Sequence, residues 1–444
     1  MMVDLATEAS MAIEDDVVVI GGGLAGMTTA LSAARDGSRV RLLSHKESTL
    51  RFASGLIDVL GYVGDEIVSN PFETISELPD EHPYRKVGEN GVRDGLDLFD
   101  SVTDYAGDHT DTNALVPTFG GNVKPTARYP KHTAPGLASV EQDTLLVGFE
   151  TVVDFDAPLA AEHLAETVPF DVRGVTLSFP GDFRTDARIT RLAHALDTNE
   201  RVEIGGNGRG NGNVQSGVSQ SEPIRIALAE RIKPHLGDAE RVGFPAMLGE
   251  EHPEDVRVTL ERKLGVEVFE IPMGPPSLPG MRLETQFETA LKDAGVRVTT
   301  GNPVVDFEGD DEIEAVVVER NGARIPFHGE QFVLATGGLV GKGIDSDRDG
   351  VREPIFDCYV PASDDRYDWS EREAFDDHQF ARFGVQVDDE LRPLDSAGEP
   401  EFENLRAVGG VLGNCDFASE KSGSGISLAT GVVAGRNASD EVNP

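Results

Sequence analysis

An unbroken apolar run, Val17-Val18-Val19-Ile20, stops abruptly at Gly21-Gly22-Gly23. Small residues follow over 27–36, then Gly37 and a second run, Arg39-Val40-Arg41-Leu42-Leu43. This pattern predicts strand, tight turn, helix and strand. Residues 64–115 are polar and acidic, with one helical candidate at 90–105. Alternation and β-branched content predict strands at 144–153 and 171–178; residues 157–167, 184–198 and 222–235 read as helices. From 266 the texture changes. A strand at 266–271 leads through a stiff Pro/Gly loop, 272–280, to an amphipathic helix at 282–294 closed by Gly295. Short strands are expected at 296–299, 303–307, 313–320 and 323–327. Another, 331–336, runs into Gly337-Gly338. Polar loops and a helix fill 345–400. A last strand, 404–410, precedes a last helix, 426–438, opened by Ser422-Gly423-Ser424-Gly425.

Composition narrows the picture. A chain of 444 residues has room for two or three domains and a core that needs no staples. Two cysteines, Cys358 and Cys415, stand far apart without a C-x-x-C pair. They exclude an iron–sulfur or zinc site held by this chain alone and read as buried thiols in a reducing compartment. Net charge is −40, and only nine of the 39 basic residues are lysine. The acid is spread along the whole chain, which fits solubility in a salt-rich, halophilic cytoplasm. At molar salt the screening length falls to about 3 Å, so the self-repulsion is tolerable. Such a charge argues against a nucleic-acid partner. Residues 1–14 lack a signal peptide's basic start and apolar core and read as a flexible tail. No stretch of 18 apolar residues exists, so membrane contact is expected only through a partner. The Gly/Asn/Ser-rich stretch 205–221 reads as a flexible surface insertion.

Gly21, Gly23 and Gly26 fall on G-x-G-x-x-G spacing between a predicted strand and helix. The first glycine allows the turn, the second lets backbone approach a pyrophosphate, and the third lets helix and strand pack. Gly22, Leu24 and Ala25 complete this loop, whose amides favour a phosphate. Two further elements of cofactor type come later: Ala335-Thr336-Gly337-Gly338 at a strand end, and the closing strand with Gly410 and the helix opening Gly423-Ser424-Gly425. A nucleotide domain re-entered twice resembles the two-domain flavoproteins of the glutathione-reductase and succinate-dehydrogenase type, over 15–62, 266–338 and 402–438. The fold class this implies is α/β: a Rossmann-like FAD/NAD(P)-binding flavoprotein domain with an inserted α+β cap or substrate domain. The flavin domain is expected at 15–80, 266–344 and 401–444, and the cap at 81–265 with a return at 345–400.

Four segments narrow the match: 48–60, 243–249, 275–280 and 408–413. They resemble the B subunit of anaerobic glycerol-3-phosphate dehydrogenase across nearly the full chain, the insertion excepted. The resemblance implies a flavin subunit that pairs with two partners, a catalytic flavin subunit with its own cofactor, and an iron–sulfur subunit. That complex sits on the cytoplasmic face of the membrane, oxidises sn-glycerol 3-phosphate to dihydroxyacetone phosphate and passes electrons towards quinone. It also implies FMN as cofactor. The residues add their own observation. Rossmann sites place an acid at the end of the second strand to hold a ribose, and here Ser44 or His45 stands there, with Glu47 further on. Gly410 stands where the closing strand usually delivers an acid; Asp416 is the substitute. This fits FMN, with FAD as the alternative. Residues 48–55 contain no histidine, so the flavin is expected to be non-covalent.

Reduced flavin carries negative charge, and the helix opening at Gly423, Ser424 and Gly425 is the candidate to stabilise it. Arg51, Phe52, Ser54 and Gly55 are expected along the ring, with Arg51 near a phosphate or ring edge; a surface salt bridge is its alternative. Lys124, Arg128, Lys131 and His132 put four basic groups within nine residues. They suit a phosphorylated or carboxylate ligand, an acidic partner, or simply a solvated loop. Arg51, Lys124, Arg128 and His132 are thus the catalytic candidates, and no metal site is expected. Two other readings stay open. One is a self-sufficient flavin oxidoreductase of the fumarate-reductase or ketosteroid-dehydrogenase kind, using Arg128 or Tyr129. The other is a structural subunit with a degenerate flavin site.

Overall fold

The computed structural model describes residues 13–184, 187–204 and 220–443. Most of the predicted insertion and residues 1–12 of the predicted tail lie outside that range. Residues 13 and 14 already belong to the first strand. In chain order the elements are β1 (Ile13–Ile20), α1 (Leu24–Arg35), β2 (Val40–Ser44), α2 (Pro83–Val102), β3 (Thr144–Phe149) and α3 (Ala157–Ala165). Next come β4 (Val172–Leu177), α4 (Ile224–Ile232), β5 (Arg241–Pro245), α5 (Pro253–Leu264), β6 (Glu267–Ile271) and α6 (Leu278–Asp293). The last are β7 (Arg297–Thr300), β8 (Val304–Gly309), β9 (Ile313–Arg320), β10 (Ala323–Leu334), β11 (Leu405–Ala407) and α7 (Gly423–Val442).

The chain divides into two units. The first comprises residues 1–49, 58–103 and 285–444; the second comprises 50–57 and 104–284. A seven-stranded sheet in the order β7-β2-β1-β10-β9-β8 builds the first, with β11 paired to β10. β1 runs parallel to both neighbours, with Ile20 beside Leu43 on one side and Leu334 on the other. Both its faces are covered, which is why it is a continuous apolar run; Val17, Val18 and Val19 are fully buried. β10 joins two strands that the sequence pattern separates. Its first half pairs antiparallel with β9 and its second half parallel with β11.

Small residues bring α7 onto α1. A side chain at Gly431 would stand 2.8 Å from the Ala25 carbonyl oxygen, and Ser32 Oγ donates to the Val432 carbonyl. α2 meets α7 in the same way through Gly91 and Gly95. This contact puts α2 in the first unit, not in the cap where residues from 81 onwards were expected. Residues 345–400 are likewise not a cap return. Val385 pairs with Leu412, and the Phe356 ring lies 5.3 Å from Phe307 and 6.0 Å from Phe402, all within the first unit. In place of a helix this stretch forms short 3-10 turns.

The second unit holds a parallel four-stranded sheet, β4-β3-β5-β6, preceded by two antiparallel ribbons that include Val123–Thr126. β6 and the start of α6 therefore belong here, because β6 completes this sheet. The boundary with the first unit falls inside α6.

Gly95 tests the packing of α2 on α7. A Cβ there would lie 2.8 Å from the Ala429 amide nitrogen. Gly95→Val should lower stability by about 1–3 kcal/mol, read as the denaturant midpoint in molar KCl. Gly120→Ala, whose nearest neighbour atom is 3.8 Å away, should stay within about 0.5 kcal/mol.

Candidate functional site

The turn after β1 is shaped by what cannot fit. Gly21 adopts φ +122°, and a side chain there would overlap the Ala335 carbonyl. A side chain at Gly26 would overlap the Gly21 carbonyl, and one at Gly22 would come within 2.6 Å of Ser44 Oγ. Gly23 differs: its nearest neighbour atom is Thr49 Oγ1 at 3.7 Å. It is the N-cap of α1 and has no side-chain capping bond. The helical ladder begins with Met27 N–H donating to Gly23, so the amides of Leu24, Ala25 and Gly26 are left over by the helix itself. Open space, spare donors and the positive end of a helix dipole together suit a phosphate.

Two later stretches arrive beside this turn. Ala335 N–H donates to the Ile20 carbonyl, and Val408 N–H to that of Leu334. Gly337 takes φ +81°. Gly338 lies against Gly410, where a Cβ would be 2.7 Å from the Gly410 carbonyl oxygen. Thr336 Oγ1 is buried without a hydrogen-bond partner. A buried orphan hydroxyl in a backbone cradle is what a bound polar ligand would satisfy.

The remaining candidates of this unit are more committed. Ser44 Oγ donates to the Lys46 carbonyl, and His45 and Glu47 are exposed. Gly425 N–H donates to the Asp58 carbonyl, and Ser424 Oγ accepts from Asp58 N–H. Two of the three residues expected to face the flavin thus hold residue 58 in place. Behind them, His82 Nδ1 accepts from Tyr84 N–H and its Nε2 donates to Glu420, which also accepts from Ser422 Oγ. Asp416 caps the short helix Phe417–Glu420 through the Ala418 and Ser419 amides. It is not a free substitute for a ribose acid.

In the second unit, residues 50–57 lie on the 275–280 loop. Ser277 N–H donates to the Arg51 carbonyl, Gly55 packs on Pro279, and a side chain at Gly280 would overlap the Leu50 carbonyl. Two segments that carry the family resemblance therefore meet. Arg51 Nε is 3.0 Å from the carboxylate of nearly buried Glu284, the ion-pair alternative for this residue. Phe52 is half exposed and Ser54 half-buried.

The basic loop does not present four cations outward. Arg128 is buried and donates to the Gly107 and Ala127 carbonyls; Lys131 pairs with Asp104; Lys124 lies on a strand. His132 turns inward to a cluster that the sequence pattern did not reveal. Arg282 Nη1 donates to His132 Nε2 at 2.9 Å and to Glu270 at 2.6 Å. Glu270 also accepts from Leu248 N–H at 2.6 Å. Burial pushes the His132 pKa down to about 4, so the imidazole is neutral at pH 7. Burial alone would raise the Glu270 pKa, but the Arg282 charge, His132 and the hydrogen bonds hold it below the usual range. The available signal was one acid inside the apolar strand Val268-Phe269-Glu270-Ile271. A cluster so saturated with internal bonds ties segments together and has no cation left for an anionic ligand.

The fold and the glycine turn define a flavoprotein of the FAD-binding class: a family model described as an FAD binding domain matches residues 16–426. The chain is 57% identical, over 98% of its length and 100% of the relative's, to a probable B subunit of anaerobic glycerol-3-phosphate dehydrogenase from Halobacterium salinarum. It is 29% identical, over 94% of its length and 96% of the relative's, to the same subunit of Yersinia pestis. It belongs to the family formed by the B subunit of anaerobic glycerol-3-phosphate dehydrogenase. A solved 3-ketosteroid Δ1-dehydrogenase from Sterolibacterium denitrificans aligns over 97% of this chain and 99% of its own, at 10% identity and TM-score 0.44.

Two outcomes test this geometry. Gly26→Ala forces the turn open and should lower retained flavin at least tenfold, read by absorbance of the purified protein, while Gly120→Ala keeps it. Separately, an unfolded chain protonates residue 132 below pH 6.5, whereas the folded chain resists down to about 4. Stability should therefore fall as pH falls through that window, by about 3 kcal/mol from this group. In His132→Gln the unfolding midpoint should fall less steeply between pH 6.5 and 4.

Proposed function

We propose that this chain is the flavin-carrying, electron-transferring B subunit of an anaerobic glycerol-3-phosphate dehydrogenase. The complex oxidises sn-glycerol 3-phosphate to dihydroxyacetone phosphate and passes the electrons to quinone. The observation that carries this reading is the 57% identity across the whole of a relative of that name. In this reading its partners are a catalytic flavin subunit, which meets the substrate, and an iron–sulfur subunit. They supply the membrane contact on the cytoplasmic side. Among the described residues no helix is long and apolar enough to cross a membrane.

The residues present fit a flavin. The amides of Leu24, Ala25 and Gly26 receive its phosphate, Thr336 Oγ1 offers a hydroxyl, and Gly338 and Gly410 let it lie against backbone. When bound, a flavin supplies a site that takes up and releases electrons one or two at a time. Arg51, Arg128 and His132 act in this reading as framework groups, since each is tied to protein partners.

For the cofactor we propose FMN, because Ser44 replaces the ribose acid and its hydroxyl is already bonded to Lys46. FAD is the second reading, favoured by the family model. Acid extraction and mass spectrometry of the released flavin should give FMN near one per chain. FAD would support the second reading, and a colourless protein would support a structural role. Glycerol-3-phosphate-dependent dye reduction should require the catalytic flavin partner; reduction by this chain alone would overturn the electron-transfer assignment.

A further inference from the structure

Glu270, Glu284 and Asp15 are buried carboxylates, and each is matched by arginine: Arg282, Arg51, and the pair Arg41 and Arg297. Glu420 in the first unit is held differently. Its carboxylate accepts from His82 Nε2 at 3.2 Å, from Ser422 Oγ at 2.8 Å and from Asp416 N–H at 3.1 Å. His82 Nδ1 already accepts from Tyr84 N–H, so the ring carries its proton on Nε2 and is a neutral donor. Lys421, the next residue, turns its ammonium to the Ala418 carbonyl. Among the described residues no Lys or Arg pairs with Glu420. Three donors and no cation leave a fixed, uncompensated negative charge on a side chain that is 19% exposed.

This charge sits at the opening of α7. Ser422, which binds it, is the N-cap of that helix. Asp58 takes the Gly425 amide and the Ser424 hydroxyl, but the amides of Gly423 and Ser424 have no acceptor among the described residues. The opening stands beside the candidate flavin turn. Ser427 Oγ donates to the Gly423 carbonyl. A side chain at Gly409, next to Gly410, would lie 3.4 Å from Ser427 Oγ and 2.5 Å from Ala25 Cβ in the first turn of α1. Burial, and after it the Glu420 charge, pushes the Tyr84 phenol and the Cys415 thiol up, so neither adds a charge at neutral pH.

We propose that Glu420, held by His82 and Ser422, sets the potential of the bound flavin and keeps it low. The proposal rests on the electron-transfer reading above. The spare amides and the positive end of α7 favour the negative charge of a reduced flavin. A fixed carboxylate at the same helix end opposes it. The carboxylate thus lowers the potential and favours passing electrons on over retaining them. Oxidation of the reduced flavin frees two electrons, which the iron–sulfur partner takes one at a time, and one proton, which goes to solvent. Burial keeps the carboxylate effective in molar salt, because partly buried charges are screened much less than exposed ones. Glu420 acts through Ser422 and the helix opening, so it is a positioning residue.

The test is the two-electron midpoint potential of the flavin-loaded chain, read against redox dyes in molar KCl at neutral pH. Glu420→Gln should favour the reduced form at least tenfold, an upward shift of about 30 mV. Glu420→Asp keeps the charge and should stay much closer to wild type. The double variant His82→Asn/Glu420→Gln guards against a folding defect, since asparagine is an able cap for the Tyr84 amide, and should shift as the single variant does. A potential unchanged or lowered in Glu420→Gln, or raised equally in Glu420→Asp, overturns the proposal and leaves the electron-transfer reading standing. Loss of flavin from both Glu420→Gln and the double variant does the same, because the cluster is then a structural brace. A wild-type chain that binds no flavin overturns both.

Discussion

Neither residue 21 nor residue 26 has room for a side chain where β1, β10 and α1 meet, and the first unit is arranged around that fact. The Ala335 carbonyl occupies the place of a side chain at residue 21, and the Gly21 carbonyl that of one at residue 26. Residues more than three hundred positions apart are pressed backbone to backbone. Parallel pairing of β1 with β10, and of β10 with β11, then brings the 335–338 turn and Gly410 to the same sheet edge as the first turn. Helix α7 closes the arrangement through Gly431 and Gly435, which let its backbone lie on α1. Open space beside Gly23, with Thr49 Oγ1 the nearest atom at 3.7 Å, is what remains once those contacts are made.

The second unit is fixed by buried charge. Arg282 reaches both Glu270 and His132, and also the Gly249 carbonyl. The cluster therefore ties α6 to β6, to the end of the basic loop and to the turn after β5. Removing charge from water is expensive, and such a group persists only when its donors and acceptors are matched. Here the matching is internal. A neutral His132 that accepts from Arg282 cannot also serve as a cationic anchor, and the guanidinium is already shared among three partners.

What the sequence made legible was local. The β1–α1–β2 pattern, the closing strand and helix, and the amphipathic α6 each follow from periodicity and glycine placement within a short window. What it hid was pairwise. β10 passes through Gly329 as one strand because its partner changes midway, and nothing inside 323–334 encodes that change. Gly91 and Gly95 acquire meaning only against α7, so the local pattern alone does not tell α2 from a cap helix. Arg128 and His132 look like their solvated neighbours until the carbonyls and the guanidinium they meet are known. Helix openings often face a ligand, which makes Ser424 and Gly425 candidates by pattern, yet Asp58 takes their bonds.

The shortage of lysine takes on a second meaning inside the protein. Spread acid and few lysines describe a surface suited to high salt, but arginine is also the residue used in the interior. Buried Arg241 donates to Thr144 Oγ1 and to the carbonyls of Pro135, Leu137 and Val140, with its guanidinium over the Phe170 and Phe269 rings. Burial lowers its pKa to about 10, which leaves it charged at neutral pH. Arg225 gathers the Leu196, Asp197 and Asp255 carbonyls in the same manner. An ammonium has three donors around a point charge and could not bridge so many carbonyls from one planar group. Acid at the surface is screened by salt, while Arg241 and Arg225 in the interior have their donors met by main-chain carbonyls, of a loop for Arg241 and of two helices for Arg225. These two electrostatic regimes let one chain stay soluble in brine and still hold long irregular loops such as 134–140 against its sheet.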